Sequence, residues 1–441
     1  MPETANNPLE KVRQLQRQLY VCAKQSRTRR FHALYDRIYR DDVLWEAWGR
    51  VRRNGGAAGV DAETIRAIEE RGVGEFLTEI AAALRAGRYR PSPVKRRYIP
   101  KGDGKQRPLG IPTVRDRVVQ MATKVVVEPI FEADFQPCSY GFRPKRSATQ
   151  ALETIREAAN RGLNFVVDAD IQGYFDSIQR ETLLELLKER ISDRRVLKLI
   201  RQWLEAGVME EGTVRETLAG TPQGGVISPL LANIYLNKLD RIWAARCGQL
   251  GILVRYADDF VAMCRTESQA REALRRIGLV MHRLGLTLHP AKTRLVDLRR
   301  GKEGFVFLGC MLRKRRSIQR NPRWHFLQRW PSPKATKKLR DRVREITSPR
   351  QSGKDVKQII AELTPVLRGW GTYFRTGNAD REFNQMDFFV LRRLRRWQIR
   401  RGGQRLTKRA PFQGNQLYGM GLHRLRGTVK YPAQATCRRS S

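Results

Sequence analysis

Two carboxylates stand side by side, at Asp258 and Asp259, in the stretch LVRYADDFVAMC, with short apolar runs on either side. Those runs predict two strands meeting at a tight turn with Ala-Asp-Asp at its tip. Adjacent anions repel, and two settings tolerate them. One is a solvated hairpin turn in high dielectric. The other is a site for a hard divalent cation such as magnesium, which takes oxygen ligands from one or two carboxylates together with substrate phosphates. The second setting needs a third acid and a phosphate-rich partner. VVDADIQGYFDSI offers the acid, because strand alternation puts Val167, Ala169 and Ile171 on one face and Asp168 and Asp170 on the other. Spacing alone leaves open which of Asp168, Asp170 and Asp176 would join the pair at the turn.

Charge points to the partner. The 441 residues hold 86 Lys and Arg against 44 Asp and Glu, a formal net charge of +42. An imbalance of this size along a whole chain is the electrostatic signature of nucleic-acid binding, where phosphate neutralisation and counterion release dominate affinity. No apolar run approaches the ~18 residues a spanning helix needs, and MPETANNPLEKVRQ lacks the basic-then-apolar order of a secretory signal. The six cysteines contain no C-x-x-C pair and there are only five histidines, so neither a disulfide framework nor a structural zinc site is expected. A reduced cytoplasm and no membrane partner fit this composition.

The elements that must position these acids follow from periodicity. Helical spacing runs through residues 9–53, stops at NGGAAGVD and resumes in VGEFLTEIAAALRAG. The prolines and glycines of RYRPSPVKRRYIPKGDGKQRPLGIP favour short strands joined by a basic loop. Helix then alternates with strand: RDRVVQMATKVVVEPIFEADF, the buried strand LNFVVDADI, and QRETLLELLKERI. A long helix, SPLLANIYLNKLDRIWAARC, leads to the acidic hairpin, and strands in GLTLHPAKTRLVDL and GFVFLGCMLRKR follow one more helix. That order predicts an α+β fold, a mainly antiparallel sheet with helices on one face. From Gly304 to Arg340 there is no carboxylate, PSPKATKK reads as a linker, and residues 388–441 again carry no Asp or Glu. A basic helical C-terminal domain is expected.

YADD in a hairpin, preceded by DIQGYFD and GTPQGGVISPLLANIYL and followed by GLTLHPAKT and FLG, resembles the reverse transcriptases encoded by group II introns. The motifs occur in that family's order from Arg107 to Gly309, about half the chain. AWGRVRRNGGAAGVD is similar to the family's N-terminal extension, and LRGWGTYFRTGNADREFNQMDFFVLRRLRRW to its thumb or maturase domain. The resemblance implies a right-hand polymerase fold: an extension over 1–87, fingers and palm over 88–315, and a linker with a basic thumb over 316–441. It places the catalytic acids on Asp170, Asp258 and Asp259. Together with the Ile171 carbonyl they would hold two Mg2+ ions, leaving Asp168 and Asp176 as solvated or capping acids. The nucleotide grip falls on Lys101 and Arg107, with Lys95 as a further candidate, and Gln223 would pack on the sugar and base. Phe175 matches the steric gate against a ribose 2′-hydroxyl, Lys292 a general acid or a phosphate contact, and Gly309 the turn that grips the primer. Trp370, Tyr373 and Phe374 read as thumb core. Arg368, Arg375, Arg392, Arg393, Arg395 and Arg396 are the expected RNA contacts.

The implied activity is RNA-directed DNA synthesis joined to splicing assistance, with intron RNA, an RNA template and DNA primer, deoxynucleoside triphosphates and target DNA as partners. Two rival functions share much of this pattern: a non-catalytic RNA-binding maturase, and a domesticated reverse transcriptase of phage defence or a CRISPR system. Residues 388–441 hold one Cys and one His, so a metal-binding HNH endonuclease and second-strand cleavage are not expected.

Overall fold

The computed structural model describes residues 8–100, 106–210, 213–215, 224–316, 325–401 and 412–431. They pack into two compact units: one of residues 1–147, 169–262 and 271–294, the other of 148–168, 263–270 and 295–441.

The first unit opens with helices α1 (Pro8–Gln25), α2 (Tyr35–Ile38), α3 (Asp41–Asn54), α4 (Ile65–Arg71) and α5 (Val73–Arg85). Strands β1 (Val94–Pro100) and β2 (Gln106–Ile111) then pair antiparallel, Ile99 opposite Arg107. Next comes α6 (Val114–Glu132), where Val118, Val119, Ala122, Val125, Val126 and Ile130 are wholly buried. A helix buried around most of its circumference belongs inside a core, and α1 and α3 pack against this one. Helix α7 (Ala148–Asn160) belongs to the second unit, and β3 (Phe165–Ala169) follows it.

Beyond β3 lie α8 (Tyr174–Ser177), α9 (Arg180–Lys188) and α10 (Arg194–Glu205). Strand β4 (Val208–Glu210) pairs parallel with β1 and antiparallel with β5 (Thr213–Arg215), closing a sheet of order β2-β1-β4-β5. A second central helix, α11 (Ser228–Arg246), buries Leu230, Leu231, Ile234, Tyr235, Leu236 and Leu239. It delivers the chain to β6 (Gly251–Tyr256) and β7 (Asp259–Cys264), then to α12 (Glu267–Arg283) and β8 (Arg294–Asp297). The sheet holding the acidic turn has the order β6-β7-β3-β8. The alternation expected in VVDADI holds: Val167, Ala169 and Ile171 are buried, while Asp168 and Asp170 are partly exposed.

In the second unit β9 (Gly304–Phe307), β10 (Cys310–Arg316) and β11 (His325–Pro331) form an antiparallel sheet of order β11-β10-β9. Three long helices follow, α13 (Pro333–Ile346), α14 (Val356–Phe374) and α15 (Asp380–Arg401), then the short α16 (Gly414–Gly419). PSPKATKK is therefore a helix start and not a linker. The Ser332 hydroxyl accepts the Ala335 N–H as N-cap, and Pro333 occupies the first turn, where its missing N–H costs nothing. Asp355 and Gln358 make a reciprocal capping box at the start of α14. Among the described residues no helix is long and apolar enough to cross a membrane.

Candidate active site

Asp258 sits in the two-residue turn between β6 and β7, and Asp259 is the first residue of β7. The residue before them, Ala257, has φ 57°, a left-handed conformation that a side chain with Cβ adopts at a cost of about 1 kcal/mol. Its carbonyl accepts from Arg255 Nη1 at 2.9 Å. The same Nη1 donates to Asn233 Oδ1 on α11 at 2.9 Å. Arg255 Nε reaches both oxygens of Asp240, at 2.9 and 3.1 Å, and Nη2 donates to Oδ2 as well. The side chains of both partners are entirely buried. Burial alone would lower the affinity of the guanidinium for its proton, and the charge of Asp240 outweighs it, holding the Arg255 pKa above its ordinary value.

Asp170 lies one residue past β3. Its backbone carbonyl accepts the His289 N–H, and Gln172 N–H donates to the Thr287 carbonyl, flanking an antiparallel bridge of Ile171 with Leu288. In that pattern the bonds on either side use the neighbours of Ile171, so its own carbonyl is left outside the pairing. Lys292 Nζ donates to Asp170 Oδ2 at 2.7 Å. Tyr174, four residues on, is buried and donates its hydroxyl to the Ala232 carbonyl at 2.6 Å. Burial pushes that phenol well above its usual range. Phe175 is partly exposed and meets the Tyr174 ring edge-on, centroids 5.4 Å apart.

Among the described residues no group of three or more His, Cys, Asp and Glu is gathered tightly enough to hold a metal ion, and Asp170 is neutralised by an ammonium. The donor set nonetheless suits a hard cation: three carboxylates and the Ile171 carbonyl are all oxygen ligands of the kind magnesium takes.

Lys101 and Gln223 lie outside the described residues. Arg107 is carried on β2 and Lys95 on β1, opposite Ile111. Gly224, directly after Gln223, has φ 121°, and a Cβ there would overlap the Gly110 carbonyl oxygen of β2. Val226 N–H donates to Gln120 Oε1 on α6 at 2.9 Å. The residues following Gln223 are thus fixed against the strand that carries Arg107, and sequence reasoning missed Gln120. Among the several polar residues of α6 no local signal sets Gln120 apart.

In the second unit, Leu308 and Gly309 both have positive φ, 49° and 73°. The Leu308 carbonyl accepts the Tyr373 hydroxyl at 2.9 Å, and the Gly309 carbonyl accepts Ser332 N–H. Trp370 and Phe374 pack with Phe383 on α15, whereas Tyr373 is 41% exposed. Arg368 on α14 and Arg392, Arg395 and Arg396 on α15 are exposed, and Arg375 caps α14, its carbonyl accepting Lys430 N–H. Arg393 is turned inward. It donates to Thr347 Oγ1 at 3.1 Å and to the Thr347 carbonyl at 2.9 Å, closing the C-terminus of α13. Desolvation, with Arg400, Arg344 and Arg396 nearby, lowers its pKa. A cleft of about 150 Å3 opens beside it, lined by Thr347, Ser352, Arg396, Trp397 and Arg400.

Residues 99–312 match the family model described as reverse transcriptase (RNA-dependent DNA polymerase), and 336–410 the group II intron, maturase-specific domain. Protein YkfC of Escherichia coli K12 is 34% identical over 344 residues, covering 69% of this chain and 89% of that protein. The group II intron-encoded protein LtrA of Lactococcus lactis subsp. cremoris is 41% identical over 214 residues, 48% of this chain and 35% of LtrA. An uncharacterized 91 kDa protein in the cob intron of Schizosaccharomyces pombe is 27% identical over 432 residues, 80% of this chain and 52% of that one. The chain thus spans most of YkfC, about half of the fission yeast protein and about a third of LtrA.

Proposed function

The chain belongs to the group II intron reverse transcriptase and maturase family, an RNA-directed DNA polymerase joined to a splicing maturase, and on that footing we propose how its residues divide the work. Asp170, Asp258 and Asp259, with the Ile171 carbonyl, would hold two magnesium ions. Those ions, when bound, lower the charge barrier to attack of a primer 3′-hydroxyl on the α-phosphate of a nucleotide and stabilise the leaving pyrophosphate. The observation that carries this reading is the placement of the acids, two on the β6-β7 turn and one at the end of β3, with a lysine already on the third.

Lys292 is positioned to leave Asp170 for the nucleotide phosphates, either as a charge or as the donor of a proton to pyrophosphate. Lys101 and Arg107 grip the triphosphate, Arg by its planar fork. Gln223 packs on the sugar and base, and Phe175 excludes the 2′-hydroxyl. Residues 1–87 form the N-terminal extension, 88–315 fingers and palm, and 316–441 the thumb and maturase part. There, Arg368, Arg375, Arg392, Arg393, Arg395 and Arg396 meet RNA phosphates, Arg368, Arg392, Arg395 and Arg396 being the exposed ones. The partners are intron RNA, an RNA template with DNA primer, deoxynucleoside triphosphates and target DNA, in the bacterial cytoplasm.

Purified protein should extend a DNA primer on an RNA template only with a divalent cation, and should accelerate splicing of its intron RNA. Splicing assistance with no extension at any magnesium concentration would reduce the protein to an RNA-binding maturase.

A further inference from the structure

Left-handed strain at Ala257 persists only where the surroundings over-determine it. Three pieces of chain converge on this residue. From β6, Arg255 donates to its carbonyl. From the segment before α7, Gly141 lies so close that a Cβ would overlap the Ala257 nitrogen and stand 2.9 Å from the Tyr256 carbonyl carbon. From α11, Asn233 links the two, accepting from Arg255 and donating from Nδ2 to the Gly141 carbonyl at 2.8 Å. The backbone joins in: Arg255 N–H donates to the Cys138 carbonyl and Tyr140 N–H to the Arg255 carbonyl, both at 2.8 Å.

We propose that Arg255, Asp240 and Asn233 are positioning residues for catalysis, which fix the Ala257 turn and thereby aim the Asp258 and Asp259 carboxylates at the metals. A buried ion pair is by itself weak evidence of a contribution to stability, since apolar residues of similar volume often do as well. An ion pair also needs no bond to a strained turn. Here Asp240 fixes the guanidinium, and the donor left over is spent on the backbone one residue before the acids. A carboxylate misaimed by a fraction of an ångström loses metal affinity, as when partners behind a metal ligand are removed. The inference rests on Asp258 and Asp259 being the metal ligands.

The test uses the full chain and two mild variants, because truncating Arg255 would strand the Asp240 charge. Asn233→Ala cuts the link between Arg255 and Gly141, and Gly141→Ala presses on the Ala257 nitrogen with every polar group retained. Mn2+ binding is followed by electron paramagnetic resonance, and the Mg2+ concentration for half-maximal primer extension and the melting temperature are measured alongside. Asp193→Asn, which removes a buried carboxylate accepting the Leu34 and Tyr35 N–H groups elsewhere in the same unit, serves as the stability control. Both variants should weaken Mn2+ binding about tenfold and raise the Mg2+ midpoint in parallel, with primer-template affinity unchanged, whereas Asp193→Asn should lower only the melting temperature. Variants that melt early like Asp193→Asn yet bind Mn2+ and respond to Mg2+ like wild type would reduce the network to a structural one. If Asp258→Asn bound Mn2+ as wild type does, the ligand assignment itself would have failed, and not the positioning.

Discussion

Lys292 sets the sharpest question at the level of single side chains. Its ammonium sits on Asp170 at 2.7 Å, where it balances the charge of that carboxylate. If Lys292 also protonates pyrophosphate, Lys292→Arg should lower kcat while leaving the nucleotide KM near wild type, since the charge remains and a guanidinium is too weak an acid to give up its proton. Single-turnover extension across a nucleotide series checks this, and a raised KM at unchanged kcat would make Lys292 a plain phosphate contact. Phe175 gives a second expectation. It projects partly exposed from a buried neighbour, Tyr174, so Phe175→Ala should raise ribonucleotide over deoxyribonucleotide incorporation, read directly from competition between the two. An unchanged ratio in a folded, active variant would return it to packing. Both residues stand out in the sequence only through the family resemblance. What it does not show is Arg255, Asn233 and Asp240, because a buried arginine in a strand and two of the several polar residues of α11 carry no local pattern. Their meaning arises only when α11 and β6 meet.

Helix ends account for most of what the sequence misled on. PSPKATKK looked like a linker because proline and serine punctuate loops, but the same residues start helices when serine caps and proline follows. Arg393, an expected RNA contact by its place in LRRLRRW, also donates to Thr347 and so closes the end of α13, a bond that its spacing in the helix does not announce. Asp193 shows the same logic in the first unit. Its carboxylate is buried and accepts the N–H groups of Leu34, Tyr35 and Arg195. Burial would raise its pKa, yet these bonds outweigh it and hold the group below its ordinary value. A depressed carboxylate contributes stability that is present above its unfolded pKa, about 3.9, and is lost as pH falls through the folded value. Asp193→Asn should therefore lower the melting temperature at neutral pH and shrink the loss of stability on acidification below about pH 4. Thermal melts across pH 2–7 check it, and melts that differ by a constant offset at every pH would contradict the assignment.

Over the whole molecule the deciding quantity is charge. A net +42 makes tight, salt-sensitive nucleic-acid binding unavoidable, but it does not by itself separate a polymerase from an RNA-binding scaffold. The two units suggest how to separate them. Exposed arginines of α15 act by neutralising phosphate, so replacing Arg392, Arg395 and Arg396 with Gln should weaken intron RNA binding and lessen the slope of log affinity against log salt by about two units. Arg393→Gln should instead destabilise α13 and leave that slope nearly intact. Titrations at several salt concentrations distinguish the two patterns, and an unchanged slope in the triple variant would remove these arginines from the interface. The most direct test of the central claim is single-turnover extension of a DNA primer on an RNA template by Asp258→Asn, with RNA affinity measured on the same preparation. Loss of a metal ligand attacks the transition state far more than the basic surface, so extension should fall to background while RNA affinity stays within about twofold of wild type. Extension at the wild-type rate would contradict the account.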